Sequence, residues 1–162
     1  MSSIQNIGAL EGVKVIDFSQ ILAGPFCTSQ LADMGAEVIK VEKPGIGDDT
    51  RGYGPPFING ESAAFLTLNR NKKSIVLNLK DDRGLDLARK LISESDVVVQ
   101  NFRPGTMEKL GLGYEEVKTF NPSLIYCSIS GFGNSGPSSK KAGFDIVAQG
   151  MSGIMSFTGF PD

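Results

Sequence analysis

Residues 13–42, VKVIDFSQILAGPFCTSQLADMGAEVIKVE, hold three elements in succession. Val13-Lys14-Val15-Ile16-Asp17-Phe18 is a short β-rich run of the kind buried in a parallel sheet. Gly24-Pro25 then predicts the start of a helix that runs to Met34, since proline suits the first helical turn, and Gly35 supplies its stop. Glu37 to Glu42 returns to strand. A strand, a helix and a second strand joined this way make a βαβ unit, whose strands lie parallel with a right-handed crossover.

The alternation continues outward from that unit. Lys43 to Gly60 is so punctuated by glycine and proline that the sequence predicts a long loop there, of the sort that often carries function. Ser62 to Leu68 predicts a short helix, and Ser74 to Leu79 a strand with Lys80 at its end. Asp81 to Ser93 predicts a helix with Leu85, Leu87, Ala88, Leu91 and Ile92 on its apolar face. Asp96 to Gln100 and Ser123 to Ser130 read as strands, with short helices at Thr106 to Leu110 and Tyr114 to Phe120 between them. Phe144 to Met155 closes the series as a helix. Five strands with intervening helices predict a Rossmann-like, doubly wound parallel α/β sheet, with residues 1–162 as one domain.

Composition narrows the chemistry. A chain of 162 residues, 40% hydrophobic and 21% charged, is long enough to bury a core of its own. No apolar run approaches the ~20 residues that span a bilayer, and Met1 to Leu10 lacks the regions of a signal peptide, so the expectation is a cytoplasmic protein without a membrane partner. A net charge of −2 argues against nucleic acid, and Asn69-Arg70-Asn71-Lys72-Lys73, without interleaved aromatics, reads as a solvated turn. Cys27 and Cys127 lie in apolar runs and read as buried free thiols. The chain contains no histidine, which removes Ser-His-Asp and Cys-His nucleophile pairs and imidazole metal sites. No metal is expected, and any chemistry falls to carboxylate, hydroxyl, amide, Lys or Arg.

In an open parallel sheet the ligand crevice lies beyond the carboxyl ends of the strands. The residues that follow each predicted strand are Ser19 to Gly24, Lys43-Pro44-Gly45, Lys80, Asn101 to Gly105, and Gly131 to Gly136. Lys43, Lys80, Arg103 and Lys109 are therefore expected along one edge, where they suit a polyanion despite the negative total. Gly131-Phe132-Gly133-Asn134-Ser135-Gly136 spells G-x-G-x-x-G, but it follows the last strand and Pro137 to Lys141 prolongs the loop where a helix should open. The dinucleotide reading is therefore rejected.

Taken together, these segments resemble the class III CoA-transferases, the CaiB/BaiF family. The resemblance rests on Leu10 to Asp17, Leu22-Ala23-Gly24-Pro25, Leu31 to Glu42, Gly47-Asp48 with Thr50-Arg51, Asn69 to Ser74, Asn101 to Gly105, Leu110-Gly111, and Ser130 to Gly133 with Gly136-Pro137. It implies a transferase that moves CoA from an acyl-CoA donor to a carboxylic acid acceptor through an aspartyl intermediate. CoA or acyl-CoA would then be substrate, with no tightly bound cofactor. Carried over by similarity, Leu22 and Ala23 would line the CoA channel, and Lys43 would meet the nucleotide phosphates. Leu77, Asn78, Leu79 and Lys80 would hold the adenine end, and Asn101, Phe102, Arg103 and Lys109 the phosphates and pantetheine. Ala142, Gly143, Phe144 and Asp145 would lie near the thiol.

The resemblance places the nucleophilic aspartate beyond Asp162, so no catalytic residue is assigned within the chain. The expectation is an incomplete N-terminal part of a CoA-transferase subunit, inactive by itself, from a family whose full-length members form interlocked homodimers. Asp17 and Asp145 read as a buried strand end and a helix start rather than as nucleophiles. The related 2-methylacyl-CoA racemases place a catalytic histidine where this chain has Gly143-Phe144-Asp145, and phenylalanine exchanges no proton. The racemase reading therefore falls below the transferase, and the remaining alternatives are a non-catalytic CoA-binding fragment or module and a piece of a subunit with no function by itself. Gly47 to Arg51 and Tyr53 to Phe57 look most like members that use succinyl-CoA and other dicarboxylate donors.

Overall fold

The computed structural model describes residues 8–160. The chain divides into two compact units, one running to Ile129 and one beginning at Ser130.

The first unit is a parallel sheet of five strands: β1 (Lys14–Asp17), β2 (Glu37–Glu42), β5 (Lys72–Val76), β6 (Val97–Gln100) and β7 (Ile125–Ser128). Their order is β5-β2-β1-β6-β7, so the chain moves outward from β1 in one direction and then returns to its other side. The reversal lies between β1 and β6, where a Rossmann-type sheet opens its crevice. Helices α1 (Ala23–Asp33), α3 (Asp82–Ser93) and α5 (Tyr114–Phe120) connect the strands, together with the single-turn α4 (Thr106–Lys109).

Side-chain alternation along the strands feeds two cores. Ile16 and Val98 face one way, into a cluster with Ala88 and Ile92 of α3, Met107, Leu112 and Val117. Val15, Val38 and Val99 face the other way, against Ala32 of α1 and Ala36. Both faces of the sheet are covered, as the strands' near-continuous apolar character requires. Leu87, expected on the buried face of α3, is 47% exposed, because Gly84, Ala88 and Ile92 already fill the stripe that meets the sheet.

Three other differences from the sequence reading have local causes. The strand expected at Ser74 to Leu79 begins two residues earlier and ends three earlier, at Lys72–Val76, because the chain turns at Asn78, whose Oδ1 accepts from the Lys80 amide at 3.1 Å. The segment from Lys43 to Gly60 is not structureless: it holds a 3-10 turn at Asp49–Gly52 and the first strand of a small antiparallel hairpin, β3 (Phe57–Ile58) and β4 (Glu61–Ser62). Ser62 then caps α2 (Ala63–Leu68) by accepting from the Phe65 amide. Cys27 and Cys127 are free thiols but half-buried rather than buried.

Gly84 marks a close approach. A Cβ there would stand 2.1 Å from the Asn78 carbonyl oxygen, so α3 packs directly on the turn that follows β5. Gly84→Ala should therefore destabilise the protein by about 1–3 kcal/mol through overpacking, read as a lowered melting temperature. A variant that melts with the wild type would show that the turn and the helix are not in contact.

In the second unit, α6 (Asp145–Ser152) follows a glycine-rich loop. Gly131 and Gly143 cross so closely that a Cβ on the first would lie 2.3 Å from the Cα of the second. No helix opens after Gly136 until Asp145, in keeping with rejection of a dinucleotide fingerprint. Among the described residues no helix is long and apolar enough to cross a membrane.

Candidate functional site

A cleft of about 260 Å³ opens beyond the carboxyl ends of β1, β2, β5 and β6. Lys43 and Pro44, directly after β2, form one side. The turn Leu77-Asn78-Leu79-Lys80 after β5 forms another, and Phe102, Thr106 and Leu110, after β6, close it. Gln20 reaches it from the end of β1. The lining is mostly apolar with two amines at its rim, which suits a flat, aromatic group attached to an anion.

Local bonds fix each wall. Gln100 accepts from the Phe102 amide at 2.8 Å and donates to Ser128 Oγ at 2.7 Å, which holds the start of the loop after β6. Asn101 does not face the cleft: its side chain accepts from the Gln20 amide at 2.8 Å and donates to the Gln20 carbonyl at 2.7 Å, tying two strand ends together. Leu77 is buried and joins the core beneath the cleft. Lys43 pairs with Asp49 at 2.5 Å, both half-exposed.

The sequence-derived residues therefore divide into groups. Lys43, Leu77, Asn78, Leu79, Lys80 and Phe102 line the cleft. Leu22 and Ala23 lie exposed at the start of α1, and Arg103 and Lys109 are exposed and outside the lining. Ala142 to Asp145 belong to the second unit, where Phe144 is 61% exposed and Asp145 accepts from the Gln149 side chain.

Beneath these walls lies a charged network that the strand-end residues did not announce. Asp17 and Lys40 are register partners on β1 and β2, and both are almost fully buried. Asp17 accepts from Thr28 Oγ1 at 2.6 Å, from both the amide and the hydroxyl of Ser19, and from Lys72 Nζ at 3.1 Å. Lys40 pairs with Asp48 at 2.8 Å and donates to the Ser19 carbonyl at 2.8 Å. Lys72 is thus not part of a solvated turn: its amine also reaches the Pro25 carbonyl and Asn69. Its neighbour Arg70 is likewise engaged, with Asp33. Burial pulls the Lys72 amine below the usual lysine value, against the attraction of Asp17.

A second cluster anchors the loop after β2. Glu42 holds Arg51 with both oxygens, at 2.7 Å each, and also accepts from Ser74 Oγ at 2.6 Å and the Asp48 amide at 2.9 Å. The Arg51 guanidinium stacks 3.7 Å over the Phe65 ring. Burial would raise the Glu42 pKa, but Arg51, Ser74 and the Asp48 amide outweigh it and hold the carboxyl at about 2. Asp48 is also held below the usual carboxylate range, Lys40 and Thr50 prevailing over burial. Asp48 and Arg51, read in sequence as a hint of substrate choice, are bound up in these pairs.

The family model of CoA-transferase family III matches residues 10–162. The mouse protein named succinyl-CoA:glutarate CoA-transferase is 52% identical over 161 residues, which is 99% of this chain and 37% of that protein. An Agrobacterium fabrum protein named succinate–glutarate CoA-transferase is 50% identical over 159 residues, 94% of this chain and 40% of its own. A crystal structure of a CaiB/BaiF family protein from Brucella suis superposes with a TM-score of 0.92 at 50% identity, covering 96% of this chain and 42% of that one.

Proposed function

The chain belongs to CoA-transferase family III, and from that premise we propose that its cleft takes the nucleotide end of an acyl-CoA, as part of an enzyme that transfers CoA to a carboxylic acid. The observation that carries this reading is the convergence of Lys43 and Lys80 on a pocket lined by Leu77, Leu79 and Phe102. An adenine ring would bury its faces against the apolar walls, while phosphates at the rim would meet the two amines. The 260 Å³ of the cleft suits a nucleobase rather than a whole coenzyme, which leaves the pantetheine to run outward past Gln20 toward Leu22 and Ala23.

In the transfer itself, a carboxylate oxygen would attack the thioester carbonyl, the C–S bond would break, and CoA would leave as the thiolate. The product is a mixed anhydride, which the thiolate reopens to give an enzyme thioester and the free donor acid. The buried acids at the carboxyl edge of the sheet do not suit this attack. Asp17, Glu42 and Asp48 are buried and already engaged by lysine, arginine and hydroxyl donors. The nucleophile would therefore come from residues other than these, and a dicarboxylate such as succinate or glutarate is the proposed acid.

Calorimetric titration with CoA, adenosine and pantetheine tests the site. We expect CoA to bind with a salt-sensitive affinity, and Lys43→Ala with Lys80→Ala to weaken it by about ten-fold while leaving pantetheine nearly unchanged. Equal losses for both ligands would place the phosphates elsewhere. Since Asp49 occupies Lys43, Asp49→Asn should tighten CoA by about two- to three-fold, and a weakening would show that the pair itself shapes the cleft.

A further inference from the structure

The turn after β1 is gripped at three successive residues by side chains from β2, from the loop that follows it and from the end of β6. Lys40 Nζ takes the Ser19 carbonyl at 2.8 Å. Asn101 takes both backbone groups of Gln20. The Asp48 carboxylate takes the Ile21 amide, at 3.3 Å to each oxygen. At that point the backbone of Ile21 has φ +69°, in the left-handed region, where a β-branched residue is an outlier. Nothing in the turn's own sequence favours this conformation, so the grip imposes it.

We propose that Asp48, itself neutralised and aimed by Lys40, is a positioning residue. It holds Ile21 in the left-handed conformation and so fixes Gln20 in the lining of the cleft. Asp48 touches no ligand in this scheme. It acts on the turn through the Ile21 amide, and a glycine at position 21, which adopts positive φ freely, should remove the need for that hold, though not for Asp48 as the partner of Lys40. The positioning claim stands on geometry alone; only its consequence for affinity rests on reading the cleft as a CoA site.

The test compares Asp48→Asn, Ile21→Gly and the double variant by amide hydrogen exchange, melting temperature and CoA titration. Asp48→Asn should speed exchange at Gln20 to Ala23 by about ten-fold or more, and adding Ile21→Gly should recover most of that protection. Ile21→Gly alone, which disturbs no buried charge, should melt at or above the wild type. If Asp48→Asn does not fold, this melting comparison decides: a fall of several degrees shows that no strain resides at Ile21 and overturns the proposal. A double variant that exchanges as fast as Asp48→Asn overturns it as well. In the titration, Asp48→Asn should weaken CoA by about ten-fold and Ile21→Gly should restore it. A wild-type chain that binds no CoA, with exchange and melting as expected, removes the CoA reading and leaves the positioning role standing.

Discussion

Lys72→Met should lower folding stability by about 3–5 kcal/mol. The reason is the partner it abandons. Asp17 is fully buried on β1, and although Ser19 and Thr28 would still donate to it, its nearest cation would be gone. Lys72 reaches Asp17 from β5, two strands away, so the pair also ties the edge strand to the start of α1 through the Pro25 carbonyl. Removing both charges is a different experiment from removing one. Asp17→Asn with Lys72→Met leaves no orphaned ion, and it should recover a large part of the loss in a double-mutant cycle. Urea unfolding of the three variants reads this directly. If the single and double variants lose the same stability, the amine contributes by packing its methylenes and the ion pair is incidental.

The second large effect is acid sensitivity centred on Glu42. Its carboxyl titrates at about 2 in the folded protein, against an ordinary glutamate value of 4.5. The unfolded chain therefore binds the proton first as the medium is acidified. The stability contributed by Glu42 is present above the higher value and is lost as pH falls from there toward the lower one, a difference of about 3 kcal/mol. Asp48 adds to the same trend, since its carboxyl is also held low. Unfolding midpoints measured from neutral pH down to about pH 3 should fall steeply for the wild type and more gently for Glu42→Gln, which starts lower because Arg51 has lost its countercharge. Parallel curves would assign the acid response to other carboxylates. The structural consequence of protonation is specific: Arg51 would release the loop after β2, and with it the wall that carries Lys43.

Both predictions concern residues that the sequence presents as ordinary. Lys72 sits in the densest basic run, where five consecutive polar residues suggest a solvated turn. Its burial follows from register: β5 pairs with β2 so that Lys40 stands opposite Ser74, and Lys72, two residues earlier on the same face, points toward Asp17. No local pattern encodes that neighbour, which lies 55 residues away in the chain. Lys40 is similarly hidden within an apolar strand, its charge matched by an aspartate in a loop whose shape depends on Arg51 and Phe65. A lysine inside a strand otherwise rich in valine and isoleucine was the available signal, since such a residue stays buried only when paired.

What the sequence determined by itself is the alternation of strands and helices, the parallel sheet, and the identity of most residues beyond the carboxyl ends of its strands. Those features depend on short-range periodicity, on proline and glycine at helix boundaries, and on the rule that parallel connections place successive strand ends on one edge. Only the tertiary structure decided which of the strand-end residues share a cleft, because the turn at Asn78 and the close contact of Gly84 bring Leu77 to Lys80 against Phe102, while Arg103 and Lys109 remain outside the lining. It also decided that Asn101, Asp48 and Arg51 brace the cleft walls. Hydrogen bonds and ion pairs between distant segments depend on three-dimensional placement at the scale of an ångström, and one chain's residue order carries no record of that distance.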